Sequence, residues 1–310
     1  MHQSICAAII AKSSMLYCRN RVRSMEPITY LVANYNKSRY LDDCLKSLHD
    51  QTDSNWHCLI LDDASTDHSL DVISPWLSDR VRLIRNPVNL GAPRSLARLV
   101  ENSPTDIVGI LDADDALYPE ATEVLLETYR ANSGAGFVYS NCRRYDESLT
   151  TPVGDGLSSA VPPGRSMLTH GWVDAVRTFR VREYRKTAGF DPQYVYAEDR
   201  DIVFKMEEVT PLLYVDRVLY KYRQVPGSET QDPVTRRIGL RSQRRAYRAA
   251  LERRGIRGRL KLGYLLVMYR NMYRHGPYPR LLRSAARRIP DGWRLIDGVS
   301  HRDVTDARRF

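Results

Sequence analysis

Three acidic clusters carry most of the chemistry this chain could perform. Asp112-Ala113-Asp114-Asp115 sets three carboxylates side by side. Such charges repel unless a cation joins them. A hard divalent ion, Mn2+ or Mg2+, takes oxygen ligands and leaves part of its shell to water and substrate phosphate. The cluster therefore suits gripping a diphosphate; its plain alternative is a solvated turn with capping acids. Ala197-Glu198-Asp199-Arg200-Asp201 is the second cluster. A carboxylate there could deprotonate an attacking hydroxyl, or simply favour a helix start. The third is Asp62-Asp63-Ala64-Ser65-Thr66-Asp67. Ser65 and Asp67 read as helix capping. Asp62 and Asp63 precede the cap and could accept a hydrogen bond from a nucleotide base N–H. Tyr35 could stack on that base or pack beside the sheet.

The elements that must position these residues are legible from periodicity. Ile28–Asn34, His57–Leu61, Val81–Ile84, Ile107–Leu111 and Phe137–Tyr139 are short apolar runs that predict buried strands. Between them Leu41/Leu45/Leu48, Leu70/Ile73/Leu77 and Leu96/Leu99/Val100 recur at helical spacing. Ser38 and Ser65 are read as caps, and Pro119 as a helix opener with Glu120 and Glu123 in the first turn. Alternating strand and helix predict a mostly parallel sheet covered on both faces. Ligands bind such sheets beyond the carboxyl ends of the strands, where Asp62-Asp63 and Asp112–Asp115 both fall. Residues 141–165 read as a variable loop over the site. Asp201–Glu208 reads as a short helix, and Leu212–Val215 and Val218–Tyr222 as two strands.

Taken together, the order ITYLVANYNKSRYL, LILDDASTD, NLG, ILDADD and AGFD before AEDRD resembles the inverting family 2 glycosyltransferases of the GT-A fold. The resemblance spans residues 27–225. It implies a mostly parallel α/β sheet flanked by helices, a nucleotide-binding Rossmann-like half joined to an acceptor half. It implies that Tyr35, Asp62, Asp63 and Asp112 meet the nucleotide. Asp112 and Asp114 would be the metal pair, Asp199 the base, and Glu198 its orienting neighbour. Gly189-Phe190-Asp191 matches the acceptor-side turn. The donor would be a nucleotide-diphosphate sugar, a UDP-sugar first. The acceptor would be a hydroxyl of a glycan or lipid-linked molecule in polysaccharide or cell-surface glycan synthesis. Two departures stand out. Val225 occupies the place of a usual histidine ligand, and there is no Gln-x-x-Arg-Trp run, whose absence points to one sugar per acceptor.

Composition sets the frame. The 310 residues suffice for a domain of ordinary size plus an extension. We expect an N-terminal extension over 1–26, a transferase domain over 27–233 and a basic, mainly helical region over 234–310. Five cysteines without a paired motif read as reduced thiols, mostly core. The net charge is +10, yet 21 Lys/Arg face five Asp/Glu from Arg236 onward, a net of +16 that leaves −6 for the rest. A tail this basic fits an anionic membrane surface through 236–288. No recognition motif points to nucleic acid. No apolar run approaches the roughly 20 residues a bilayer span needs, and the arginines follow the N-terminal apolar run rather than precede it. The expected location is the cytoplasm, peripheral at the inner face of the membrane. Two rivals remain. A nucleotidyltransferase would want a glycine-rich loop after the first strand, where Tyr35-Asn36-Lys37-Ser38 stands. A non-catalytic nucleotide-sugar-binding protein on the same fold is the other.

Overall fold

A computed structural model describes residues 26–170, 172–227 and 232–275. Most of the expected N-terminal extension and the tail beyond 275 lie outside the described residues. The first half alternates as the periodicity predicts. Its elements are β1 (Ile28–Asn34), α1 (Ser38–His49), β2 (Trp56–Asp62), α2 (Ser69–Ile73), β3 (Val81–Arg85), α3 (Ala92–Glu101) and β4 (Ile107–Ile110). β1 pairs in parallel with β2 and β4, and β2 with β3. The second half adds β5 (Ala116–Leu117), α4 (Ala121–Ala131), β6 (Phe137–Tyr145), β7 (Pro152–Asp155), β8 (Arg177–Arg180) and α5 (Val181–Tyr184). It continues with α6 (Glu198–Glu207), β9 (Leu212–Arg223), α7 (Pro233–Arg253) and α8 (Gly258–His275). All strands join one sheet in the order β3-β2-β1-β4-β8-β6-β9-β5, with β7 beside β6. β8 runs antiparallel to both β4 and β6. It welds the parallel half to the mixed half.

Both faces of the sheet are buried at β1, β2 and β4, which is why these strands are largely apolar. Side chains alternate between faces along each strand. Tyr30 and Val32 of β1 join Cys58 and Ile60 of β2 in a core under α1 and α4, whereas Leu31, Leu59 and Leu61 join the opposite core under α3 and α6. Cys44, Cys58 and Cys142 are free and buried, and burial pushes the Cys44 and Cys58 thiols well up from their usual range. The basic helices belong to this architecture. Tyr247 and Leu251 of α7, with Tyr264 and Val267 of α8, lie in the same core as Phe204 of α6. Asp232 caps α7, accepting from the Val234 and Thr235 N–H at 3.0 and 2.7 Å.

Several local expectations are corrected. Ser38 and Ser65 do not cap their helices. Asp67 does that work at two places, accepting from the Ser38 N–H and the Ser69 N–H, both at 3.0 Å. A carboxylate can serve two helix starts at once where two loops meet. The expected loop 141–165 begins as the continuation of β6 and then folds back as β7, because cross-strand pairing to β9 and β7 carries the chain onward. The two strands expected over 212–222 are one, β9. The acidic helix begins at Glu198 rather than Asp201.

Candidate active site

The carboxyl ends of β1, β2 and β4 form one edge, as the register Asn34↔Asp62 and Leu31↔Ile110 requires. Tyr35 leaves β1 there with 44% of its surface exposed, available to stack on a flat ligand. Asp62 and Asp63 do different work. Asp62 is fully buried and accepts from the Asn34 amide at 2.9 Å and the Ser65 N–H at 3.2 Å, so it builds the turn. Asp63, 3% exposed, accepts from the Asn86 amide at 2.6 Å and from the N–H groups of Leu90 and Gly91 at 2.9 and 2.8 Å. It fixes the Asn-Leu-Gly loop against the end of β2. Gly91 adopts φ +82°, a conformation that glycine reaches without strain, and opens α3 from there. Arg98 is engaged on the Arg85 carbonyl and the Asn86 side chain.

The Asp112–Asp115 cluster hangs from the end of β4. Asp112 keeps its side chain 46% exposed; Asp114 is less open and Asp115 is buried. Each meets a donor from the protein. The Lys37 ammonium sits 2.5 Å from Asp114 Oδ2. The Arg177 guanidinium lies 3.6 Å from Asp112 Oδ2, and Tyr220 Oη stands within 3.4 Å of the same atom. Asp115 accepts from the Arg223 N–H at 2.7 Å. The buried Arg223 side chain donates to the Asp114 carbonyl and the Glu147 carbonyl and pairs with Asp43 at 2.6 Å. Where a histidine ligand was sought in this segment, an arginine clamps the loop from behind. Burial raises the Asp115 pKa well above the usual carboxylate range, and the Asp114 and Asp112 charges add to it. Packing raises Asp112 as well, against the pull of Arg177.

Arg177 brings the Glu198-Asp199 cluster to Asp112. Its register partners are Ile110 on β4 and Tyr139 on β6, so it emerges beside Asp112. One nitrogen faces Asp112 and another lies 2.9 Å from Asp199 Oδ2. Burial opposes its charge, but Asp199 and Asp112 overcome that and hold it protonated. Asp199 remains 46% exposed and its other oxygen accepts from the Arg200 N–H at 2.7 Å. Glu198, next along α6, has a buried oxygen without a hydrogen bond. Burial, and then the Asp199 charge, push its pKa up to about 7. Arg177 escaped the sequence reading. A lone arginine in a segment without periodicity carries no signal; only the insertion of β8 between β4 and β6 gives it a place.

Asp112 and Asp114 offer hard oxygen donors on the open side of the loop, a set that fits part of a divalent ion's shell. Among the described residues no group of three His, Cys, Asp or Glu is arranged to hold a metal. Most of such a shell would come from substrate and water.

Comparison with known proteins bears on the family and the fold. The family model described as glycosyl transferase family 2 matches residues 29–186. The chain is 28% identical over 206 residues to a chondroitin synthase of Escherichia coli, covering 66% of this chain and 29% of that protein. It is 26% identical over 235 residues to a hyaluronan synthase of Pasteurella multocida, covering 74% and 23% respectively. It therefore spans only about a quarter of the length of these relatives. Among solved structures, S. aureus TarS 1–349 in complex with UDP superposes with a TM-score of 0.58 at 15% identity over 82% of this chain and 73% of that one. The mannosyltransferase PcManGT from Pyrobaculum calidifontis, in complex with GDP-Man and Mn2+, gives 0.53 at 16% identity over 94% and 96%. At such identities the likeness is one of fold.

Proposed function

The chain belongs to glycosyl transferase family 2, and on that premise we propose that it is a non-processive, inverting enzyme moving a sugar from a nucleotide-diphosphate donor to a hydroxyl of a glycan or lipid-linked acceptor. A UDP-sugar is the donor we favour, since solved relatives of the same fold are complexes with UDP and UDP-GlcNAc. The observation that carries the reading is the Asp112–Arg177–Asp199 bridge. It ties a carboxylate at the donor end of the sheet to one at the start of α6, with both side chains still partly exposed.

In this reading Tyr35 stacks on the base. Asp63 fixes the loop that borders it, and the one lone pair left on its Oδ2 can accept the base N–H. Asp62 supports the turn beneath. Asp114 and Asp112 would hold Mn2+ or Mg2+, which would supply neutralisation of charge on the leaving diphosphate. The acceptor hydroxyl attacks the anomeric carbon from the face opposite the diphosphate. Asp199 takes its proton, with Arg177 fixing the carboxylate's orientation and Glu198 standing beside it. One displacement inverts the configuration. Proximity and alignment supply much of the rate in such a step. The arginines of α7 then face an anionic membrane at the cytoplasmic side, where a lipid-linked acceptor in polysaccharide synthesis would be presented.

The test is nucleoside diphosphate release by the purified chain across a panel of nucleotide sugars, with Mn2+, Mg2+ or EDTA. Metal-dependent release from one donor, with an acceptor pool present, supports the proposal and identifies the sugar. Tight binding of a nucleotide sugar with no turnover under any acceptor would favour the non-catalytic alternative.

A further inference from the structure

The carboxylates of the Asp112–Asp115 loop are already opposed by cations of the chain. Arg177 and Arg223 are buried and locked into several contacts each. Lys37 differs. Its ammonium contacts Asp114 at 2.5 Å from a side chain that is one-third exposed. The backbone that delivers it is fixed on both sides. Asn36 sits at φ +53° with its side-chain oxygen accepting from the Thr66 N–H at 2.8 Å, and the Ser38 N–H is held by Asp67. A lysine stem on such an anchor can swing while its base stays put. Any cation arriving at Asp114 meets a carboxylate whose Oδ2 the ammonium already holds, and the two positive charges oppose each other.

We propose that Lys37 is the resident counter-ion of Asp114, excluding divalent metal from the donor-free protein and yielding only when a nucleoside diphosphate arrives. This rests on the reading of Asp114 as a metal ligand. The diphosphate supplies oxygen ligands that the protein lacks, and its negative charge offers the displaced ammonium a new partner. Metal and donor then enter together. Lys37 ends on the diphosphate side of the ion, adding positive charge where the leaving group develops negative charge.

The experiment is Mn2+ binding to the full chain, read from the electron paramagnetic resonance signal of the free ion, with and without UDP. Without nucleotide, Lys37→Met and Lys37→Gln should each bind Mn2+ about tenfold more tightly than the unaltered chain, the size expected when a close opposing charge is removed. The gain should vanish when Asp114→Asn is added to Lys37→Met. Saturating UDP should narrow the difference. Equal Mn2+ affinity of the unaltered chain and both Lys37 variants without nucleotide overturns the inference. The UDP arm judges the underlying reading separately. Recruitment of Mn2+ by UDP to the unaltered chain but not to Asp114→Asn upholds Asp114 as a ligand whatever Lys37 does. Equal recruitment by both removes that reading and the inference with it.

Discussion

Glu198 and Asp199 are neighbours in sequence but not in environment. Asp199 faces Arg177 and solvent, whereas Glu198 has a buried oxygen with no hydrogen-bond partner. Glu198 therefore holds its proton up to about pH 7, well above its ordinary 4.5. Between those values the folded chain binds a proton that the unfolded chain has released. Stability accordingly falls as pH rises across that window. Asp112 and Asp115, both raised, act in the same direction. Glu198→Gln stays neutral throughout, so its melting temperature should decline less than that of the unaltered chain between pH 5 and 8; parallel curves would contradict the assignment. Arg177 is the other residue-scale lever. Arg177→Met should lower kcat by about 100-fold through misplacement of the base. Arg177→Lys, which keeps the charge but not the planar fork, should recover only part of that loss. Unchanged kcat in Arg177→Met would show that the bridge is dispensable.

The elements explain how these side chains are held. α6 carries Glu198 and Asp199 at its start and is pinned by Lys205, whose ammonium meets Asp201 at 2.5 Å and the Gly189 carbonyl at 2.6 Å inside the core. Gly189 itself sits at φ +65°, and the Tyr184 hydroxyl lies where a Cβ would stand. The hydroxyl also accepts from the Phe190 N–H at 3.0 Å, closing the turn before the acidic helix. Lys205→Met would strand a buried carboxylate and cost about 3–5 kcal/mol. Calorimetry should register a fall in melting temperature of roughly 10 °C, on the usual scaling for domains of this size; a fall of a degree or less would mean the pair is idle. The parallel half was legible in the sequence because β1, β2 and β4 are largely apolar on both faces and its helices show a period near 3.6. β8 was not. Arg177-Thr178-Phe179-Arg180 has only four residues, two of them arginine, and is buried because strands distant in sequence close over it. The clusters at 62–63, 112–115 and 198–199 were visible as residues. That Asp62 and Asp63 turn inward to build loops follows from contacts with Ser65, Asn86, Leu90 and Gly91, which spacing does not reveal.

At the scale of the molecule the charge is divided, −6 before Arg236 and +16 from there onward. α7 buries one side in the core and exposes Arg237, Arg241, Arg245 and Arg248 along the other, with Val234 and Ile238 exposed near its start. Arg245 reaches Gln193 at 2.8 Å. No helix among the described residues is long and apolar enough to cross a membrane. If this arginine face meets an anionic bilayer, co-sedimentation should be strong with vesicles containing phosphatidylglycerol and weak with pure phosphatidylcholine. Salt and the fourfold change of these arginines to glutamine should both reduce it, since such attraction adds about 1 kcal/mol per basic residue near the surface. Equal sedimentation with both lipids would remove the membrane from the account. The most direct test of the central claim is turnover of the identified nucleotide sugar by Asp199→Asn beside the unaltered chain, with donor binding followed in parallel. A fall in kcat of about 100-fold to 10,000-fold with donor affinity retained is the result expected for loss of a general base. Undiminished turnover by Asp199→Asn would contradict the assignment of Asp199 and the mechanism built on it.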